Sequence, residues 1–182
     1  MKYPTYVCIN ITHKPQIMRT FTTTLMALTF AVFLTSCSQD EELMQTEEAT
    51  LELSADLTVE ETFAKEILAE VNVYRASIGL TELRANSDSK VKATEHTKYM
   101  ATKGKISHDY FLERSDYLKA KGAGRVSENV AYGYRSAAEV VSAWLKSEGH
   151  KEAIEGNFTH SGISVVKDER GIAFFTQIFI TK

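Results

Sequence analysis

Cysteine is nearly absent from this 182-residue chain: Cys8 and Cys37 are the only two. Everything after residue 37 therefore lacks a disulfide framework and must rely on its core. It also lacks a thiol nucleophile. A basic run is missing as well. All 24 acids but only 18 of the 21 Lys and Arg lie after Ser36, a balance of −6 (18 − 24). Without the seven acids of residues 38–57, 18 basic residues face 17 acidic ones, a balance of +1. A nearly neutral domain without clustered cations offers no counterion-release surface, which argues against nucleic acid as a partner. Nor does the chain contain a Gly-x-Ser-x-Gly elbow, a His-Glu-x-x-His pair, a phosphate loop or a Gly-x-Gly-x-x-Gly turn, the signatures of several large enzyme classes.

Long apolar runs are also lacking. Phe21 to Leu34, about 14 residues behind Arg19, is too short to span a bilayer as a helix and has the form of a signal-peptide core. It ends in Leu34-Thr35-Ser36-Cys37, which looks like a bacterial lipobox with Cys37 as the lipidated residue. Met18-Arg19-Thr20 is the more natural start of such a signal. The expected organisation is a signal peptide over 1–36, a lipidated Cys37 and tether over 37–57, and one domain over 58–182. The tether carries Asp40, Glu41, Glu42, Glu47, Glu48, Glu52 and Asp56 and no Lys or Arg, so like-charge repulsion extends it. Ser38-Gln39-Asp40-Glu41-Glu42 resembles the acidic signal that sends some lipoproteins to the outer face of the outer membrane; a generic acidic linker would have the same composition. The expected location is the cell envelope, lipid-anchored in the outer membrane and exposed at the surface.

In the domain, Thr58-Val59-Glu60-Glu61 has the pattern of a capping box. Phe63, Ile67, Val71, Tyr74 and Ile78 follow at helical spacing, and Gly79 supplies the stop. Further helices are expected over Ser87–Lys103, Phe111–Lys121 and Ala137–Ser147, the last with Val140, Val141, Trp144 and Leu145 apolar. Ile163–Val166 and Ile172–Ile180 read as a hairpin across Lys167–Gly171, with Arg125–Tyr132 as a third strand. Both faces of the last strand are apolar, so it needs cover on both sides. The expected class is α+β: an αβα sandwich around a small, mainly antiparallel three-stranded sheet.

The chemistry-bearing residues lie in ordered segments: Ser107-His108-Asp109, Glu113, Ser127-Glu128-Asn129-Val130-Ala131, and Ser147-Glu148-Gly149-His150. Interleaved with them are Ser136-Ala137-Ala138-Glu139-Val140-Val141 with Trp144, then Phe158-Thr159-His160-Ser161-Gly162-Ile163 and Thr176-Gln177-Ile178-Phe179. In this order they resemble the CAP superfamily (cysteine-rich secretory, antigen 5 and pathogenesis-related proteins), and its short bacterial members most, over Leu57 to Lys182. The resemblance implies a cleft on which two histidines and two acids converge and can hold a divalent cation. His108 and His150 match the histidines, Glu128 the acid of a Gly-Glu-Asn motif in which Ser127 replaces Gly, and Glu113 the variable fourth member. Imidazole and carboxylate donors suit Zn2+ or another divalent ion. A hydrogen-bonded network that fixes loops would use the same residues. His96 reads as a packed helix residue, His160 as a loop or strand-edge residue, and Tyr110, Tyr132 and Tyr134 as residues that could border the cleft.

A shared fold does not fix a function, and three readings stand. The first is a lipid-anchored surface module whose cleft binds a lipid, an envelope glycan or a protein. The second is a metal-dependent hydrolase with Glu128 or Glu113 as general base. The third is an adhesion or scaffold module with a vestigial cleft.

Overall fold

A computed structural model describes residues 57–182. The apolar run Phe21 to Leu34, Cys37 and the acidic stretch through Asp56 lie outside the described residues. In chain order the elements are α1 (Glu61–Ser77), β1 (Arg84–Ala85), α2 (Ser87–Lys103), α3 (Phe111–Ala120), β2 (Val126–Tyr132), α4 (Ala137–Lys146), α5 (Glu148–Glu155), β3 (His160–Lys167) and β4 (Ala173–Ile180). The sheet runs β1-β3-β4-β2, antiparallel except for the parallel β1–β3 pair.

Every residue of β4 is buried, because both of its faces are covered. Phe175 and Phe179 point to a core shared with Ile67 and Val71 of α1, Val140, Val141 and Trp144 of α4, and Ile154 of α5. Phe174, Ile178 and Ile180 point the other way, toward Ala93 and Met100 of α2 and Leu118 of α3. The helix, sheet, helix sandwich thus follows from a strand that is apolar on both faces. Trp144 is fully buried, and its indole N–H donates to the carbonyl of Val130 at 3.2 Å, which satisfies its polar tip.

Three expectations require correction. The sheet has a fourth strand, β1, in which Arg84 and Ala85 pair with His160 and Ser161; two residues are too few to show an alternating pattern. The capping box does not form: α1 starts at Glu61, and Glu60 makes no side-chain cap. Val59 instead bridges Val166, and Glu60 N–H donates to Val165 O at 2.8 Å, so pairing with the sheet displaces the local cap. Finally, α5 is an additional helix. Ser147 is extended at φ −102° and ψ 120°, ends α4 and starts α5, whose buried apolar residues are only Ala153 and Ile154. The predicted stop of α1 does form: Gly79 sits at φ +76°, and Leu80 N–H closes back on Arg75 O at 2.9 Å.

Candidate functional site

The site is built where β2, an edge strand, passes beneath α3 and the loop that joins α2 to α3. Glu128 lies near the start of β2, and its side chain is only 1% exposed. A buried carboxylate needs compensation, and it receives it from two sides. Arg114 of α3 closes a fork on it, Nε to Oε2 at 2.9 Å and Nη2 to Oε1 at 2.8 Å. His108 Nδ1 lies 2.9 Å from Oε1. Burial alone would raise the carboxyl pKa; the hydrogen bonds from His108 and Arg114 and the charge of Arg114 outweigh it and hold Glu128 below the ordinary range.

An ionised carboxylate only accepts, so the proton of the His108–Glu128 bond sits on Nδ1. In the neutral ring Nε2 then carries a lone pair, and the His108 side chain is 53% exposed. Glu128 therefore fixes both the tautomer and the orientation of an imidazole that faces solvent. The loop that carries His108 is cross-linked to its surroundings. His96 Nε2 donates to Ser107 O at 2.7 Å, Tyr99 Oη donates to Asp109 Oδ2 at 2.9 Å, and Arg114 Nη1 donates to Asp109 O at 2.6 Å. Tyr110 closes the loop at φ 59°, the one non-glycine residue with positive φ among the described residues.

His96 lies directly behind the site, its Nε2 3.8 Å from Glu128 Oε1. Burial lowers its pKa; the carboxylate of Glu128 opposes that shift, and the nearby charge of Arg114 adds to it. His150, from α5, approaches on the other flank of β2, where its carbonyl accepts from Asn129 Nδ2 at 3.0 Å. Its pKa is lowered by burial and, secondarily, by His108. Glu113 is exposed on α3 and lines a cavity of about 240 Å³ with Lys92, Glu95, His96, Tyr99, Tyr110 and Arg114. Tyr110 thus borders the site region, whereas Tyr134 packs against the core and Tyr132 stacks on Phe174. His160 starts β3 with Nδ1 against Thr159 Oγ1 at 2.8 Å.

The four residues singled out in the sequence are therefore not arranged alike. His108 and Glu128 touch, His150 stands nearby, and Glu113 belongs to the neighbouring cavity. Among the described residues no group of three or more His, Cys, Asp or Glu side chains is arranged to hold a metal ion. Three of the roughly four acceptor positions of Glu128 are already used, two of them by the guanidinium of Arg114. The donor set of this geometry does not fit a four-ligand divalent site. Sequence reasoning missed Arg114, although a signal was present: an arginine four residues before Leu118 lies on the buried stripe of α3, where a lone cation requires a partner.

The family model described as "CAP: Cysteine-rich secretory protein family" matches residues 68–179. The chain belongs to this family. Two Bacillus subtilis (strain 168) proteins are similar to it: the uncharacterized protein YkwD, 32% identical over 66% of this chain and 48% of its own length, and the uncharacterized membrane protein YlbC, 30% identical over 68% and 36%. The chain spans less than half the length of either. Among solved structures, an outer surface protein from Borrelia burgdorferi superposes with a TM-score of 0.63 at 22% identity, over 69% of this chain and 97% of that one. An extracellular protein containing an SCP domain from Bacillus anthracis gives 0.57 at 26%, over 67% and 41%. The architecture of this CAP chain is thus that of its bacterial relatives.

Proposed function

We propose that this CAP chain is a cell-envelope module, lipid-anchored through Cys37, that binds a ligand against the solvent-facing imidazole of His108. One observation carries the reading: Arg114 and His108 together hold Glu128 as a buried carboxylate, and Glu128 in turn holds His108 Nε2 ready to accept a hydrogen bond. A purely structural ion pair would be complete with Arg114 and Glu128 alone. Similarity to an outer surface protein and to an extracellular protein supports the location. The same geometry gives little to the hydrolase reading, because Glu128 is buried and already accepts from three donors, and Glu113 lies outside the His108 contact. For a divalent ion the geometry leaves two imidazoles at most, His108 and His150, with Glu128 orienting the first. This cleft is the expected contact for an envelope lipid, glycan or protein.

The location is tested with Cys37→Ser, which is expected to release the protein from membrane fractions; retention, with no lipid label on the wild type, overturns the anchor. The cleft is tested by NMR of the imidazole resonances during titration with palmitate and, separately, with peptidoglycan fragments. His108 is expected to shift with one class and to lose that response in Glu128→Gln, while His160 stays silent. Equal shifts of His108 and His160, or none, overturn the cleft reading.

A further inference from the structure

Among the described residues, large apolar side chains are exposed at seven positions, and three of them fall within seven residues of one another: Ile106 at 38%, Tyr110 at 62% and Leu112 at 72%. They flank His108 on the loop and first turn between α2 and α3. Exposed apolar residues scattered singly require no account, but a local concentration does. Looseness of the loop does not explain it. Ser107 and Asp109 are tied down by His96, Met100, Tyr99 and Arg114, so the backbone that displays these side chains is fixed. Tyr110 moreover adopts φ 59°, a left-handed conformation that costs a non-glycine residue on the order of 1 kcal/mol or more. Lys103 and Lys105 are exposed at the start of the same loop. The one acid between them and α3, Asp109, accepts from Tyr99 and keeps its negative charge.

We infer that this loop is a lipid-surface contact, in which Tyr110, Leu112 and Ile106 enter the headgroup and acyl boundary while Lys103 and Lys105 meet anionic headgroups. The chemistry favours lipid over a second protein. Three protruding side chains fall far short of the roughly 800 Å² per partner that a standard protein interface buries. A deformable surface accepts protrusions without a matching cavity, and Tyr with flanking Lys suits a boundary that is apolar on one side and wet on the other. Asp109 and Glu113, both exposed, oppose the anionic surface and offset the two lysines, so the apolar insertion must supply most of the attraction. The contact would present His108 to the membrane. It is independent of lipid on Cys37, which fixes only one end of a tether.

The test uses the full chain reconstituted into vesicles of phosphatidylethanolamine and phosphatidylglycerol that contain brominated lipid. Leu112→Trp places a reporter in the loop. Val73→Trp, at a position 68% exposed on α1 across the sheet, is the control, and the native Trp144 is buried in both. The Leu112→Trp emission is expected to be blue-shifted and quenched, with the quenching reduced by Lys103→Glu with Lys105→Glu, while Val73→Trp stays unquenched. Chain that floats with the vesicles but leaves Leu112→Trp unquenched, or quenches both reporters equally, overturns the loop contact and spares the anchor. A blue shift that appears without vesicles and grows with protein concentration assigns the patch to a second copy instead. Chain that does not float overturns both.

Discussion

Arg114 and Glu128 meet inside the protein through two parallel hydrogen bonds of 2.9 and 2.8 Å, with His108 as a third donor on the same carboxylate. Removing one partner of such a pair strands the other as an uncompensated buried charge. Arg114→Leu is therefore expected to destabilise the fold by about 3–5 kcal/mol. Arg114→Lys should recover only part of that loss, since an ammonium cannot reproduce the two-bonded fork. Chemical denaturation of the three proteins decides it. A wild-type midpoint in Arg114→Leu would mean that the pair is peripheral to stability.

Stability should fall with acid in two stages. His96 and His150 have folded-state pKa values lowered chiefly by burial. The unfolded chain thus takes up their protons first, and stability declines as pH drops below the ordinary histidine value near 6.5. Glu128 is lowered by its donors; its contribution is present above the ordinary glutamate value and disappears as pH falls through the lower, folded one. Urea midpoints from pH 8 to pH 3 should show both limbs. His96→Gln, which keeps an N–H for Ser107 O, should flatten the upper limb, and Glu128→Gln the lower. A pH-independent midpoint between 7 and 5 would contradict the assignment to buried histidines.

The large elements were legible because their sequence patterns are long. The apolar stripe of α1, the full extent of α2 at Ser87–Lys103 and the two-sided apolarity of β4 are set by local periodicity. What escaped was short or non-local. Two residues of β1 have no period to read, α5 carries too few apolar residues, and the Thr58–Glu61 cap lost to pairing of Val59 with Val166, more than a hundred residues away. The site divides in the same way. His108 and Glu128 were visible as chemistry-bearing residues, but their mutual contact, and the arginine that completes it, depend on how α3 settles over β2. Glu113 stands one residue before Arg114, and on a helix that offset turns it to another face, toward solvent and the neighbouring cavity.

Zinc binding separates a histidine pair from a structural network. Two imidazoles, with Glu128 as orienter, are expected to give a small rise in Tm with added zinc at neutral pH and less at pH 5, where protonated rings no longer ligate. His108→Ala and His150→Ala should each remove the rise, and His160→Ala should leave it intact. Equal responses in all three variants would indicate nonspecific surface binding, and no response in the wild type would leave the cluster as a hydrogen-bonded framework for the ligand cleft.

Gly162 shows how the sandwich is held at close range. A Cβ built there would lie 2.1 Å from Lys90 N and 2.3 Å from Ser89 C, in the first turn of α2. These are backbone atoms and cannot swing aside as a side-chain end would. The helix therefore rests directly on β3, and the same first turn is capped by Asn86, whose Oδ1 accepts from Ser89 N–H at 2.8 Å. Gly162→Ala must push α2 off the sheet or break that cap, at a cost of about 1–3 kcal/mol, the usual range for overpacking. Because α2 also carries His96 and Tyr99, which brace the His108 loop, the His108 imidazole resonances should move together with the drop in Tm. Gly124→Ala is the control: its added Cβ would meet the Oγ1 of Thr181 at 2.9 Å, a side-chain atom, and should leave the His108 signals in place. Unchanged His108 resonances in a destabilised Gly162→Ala would show that the loop is braced independently of how closely α2 sits on the sheet.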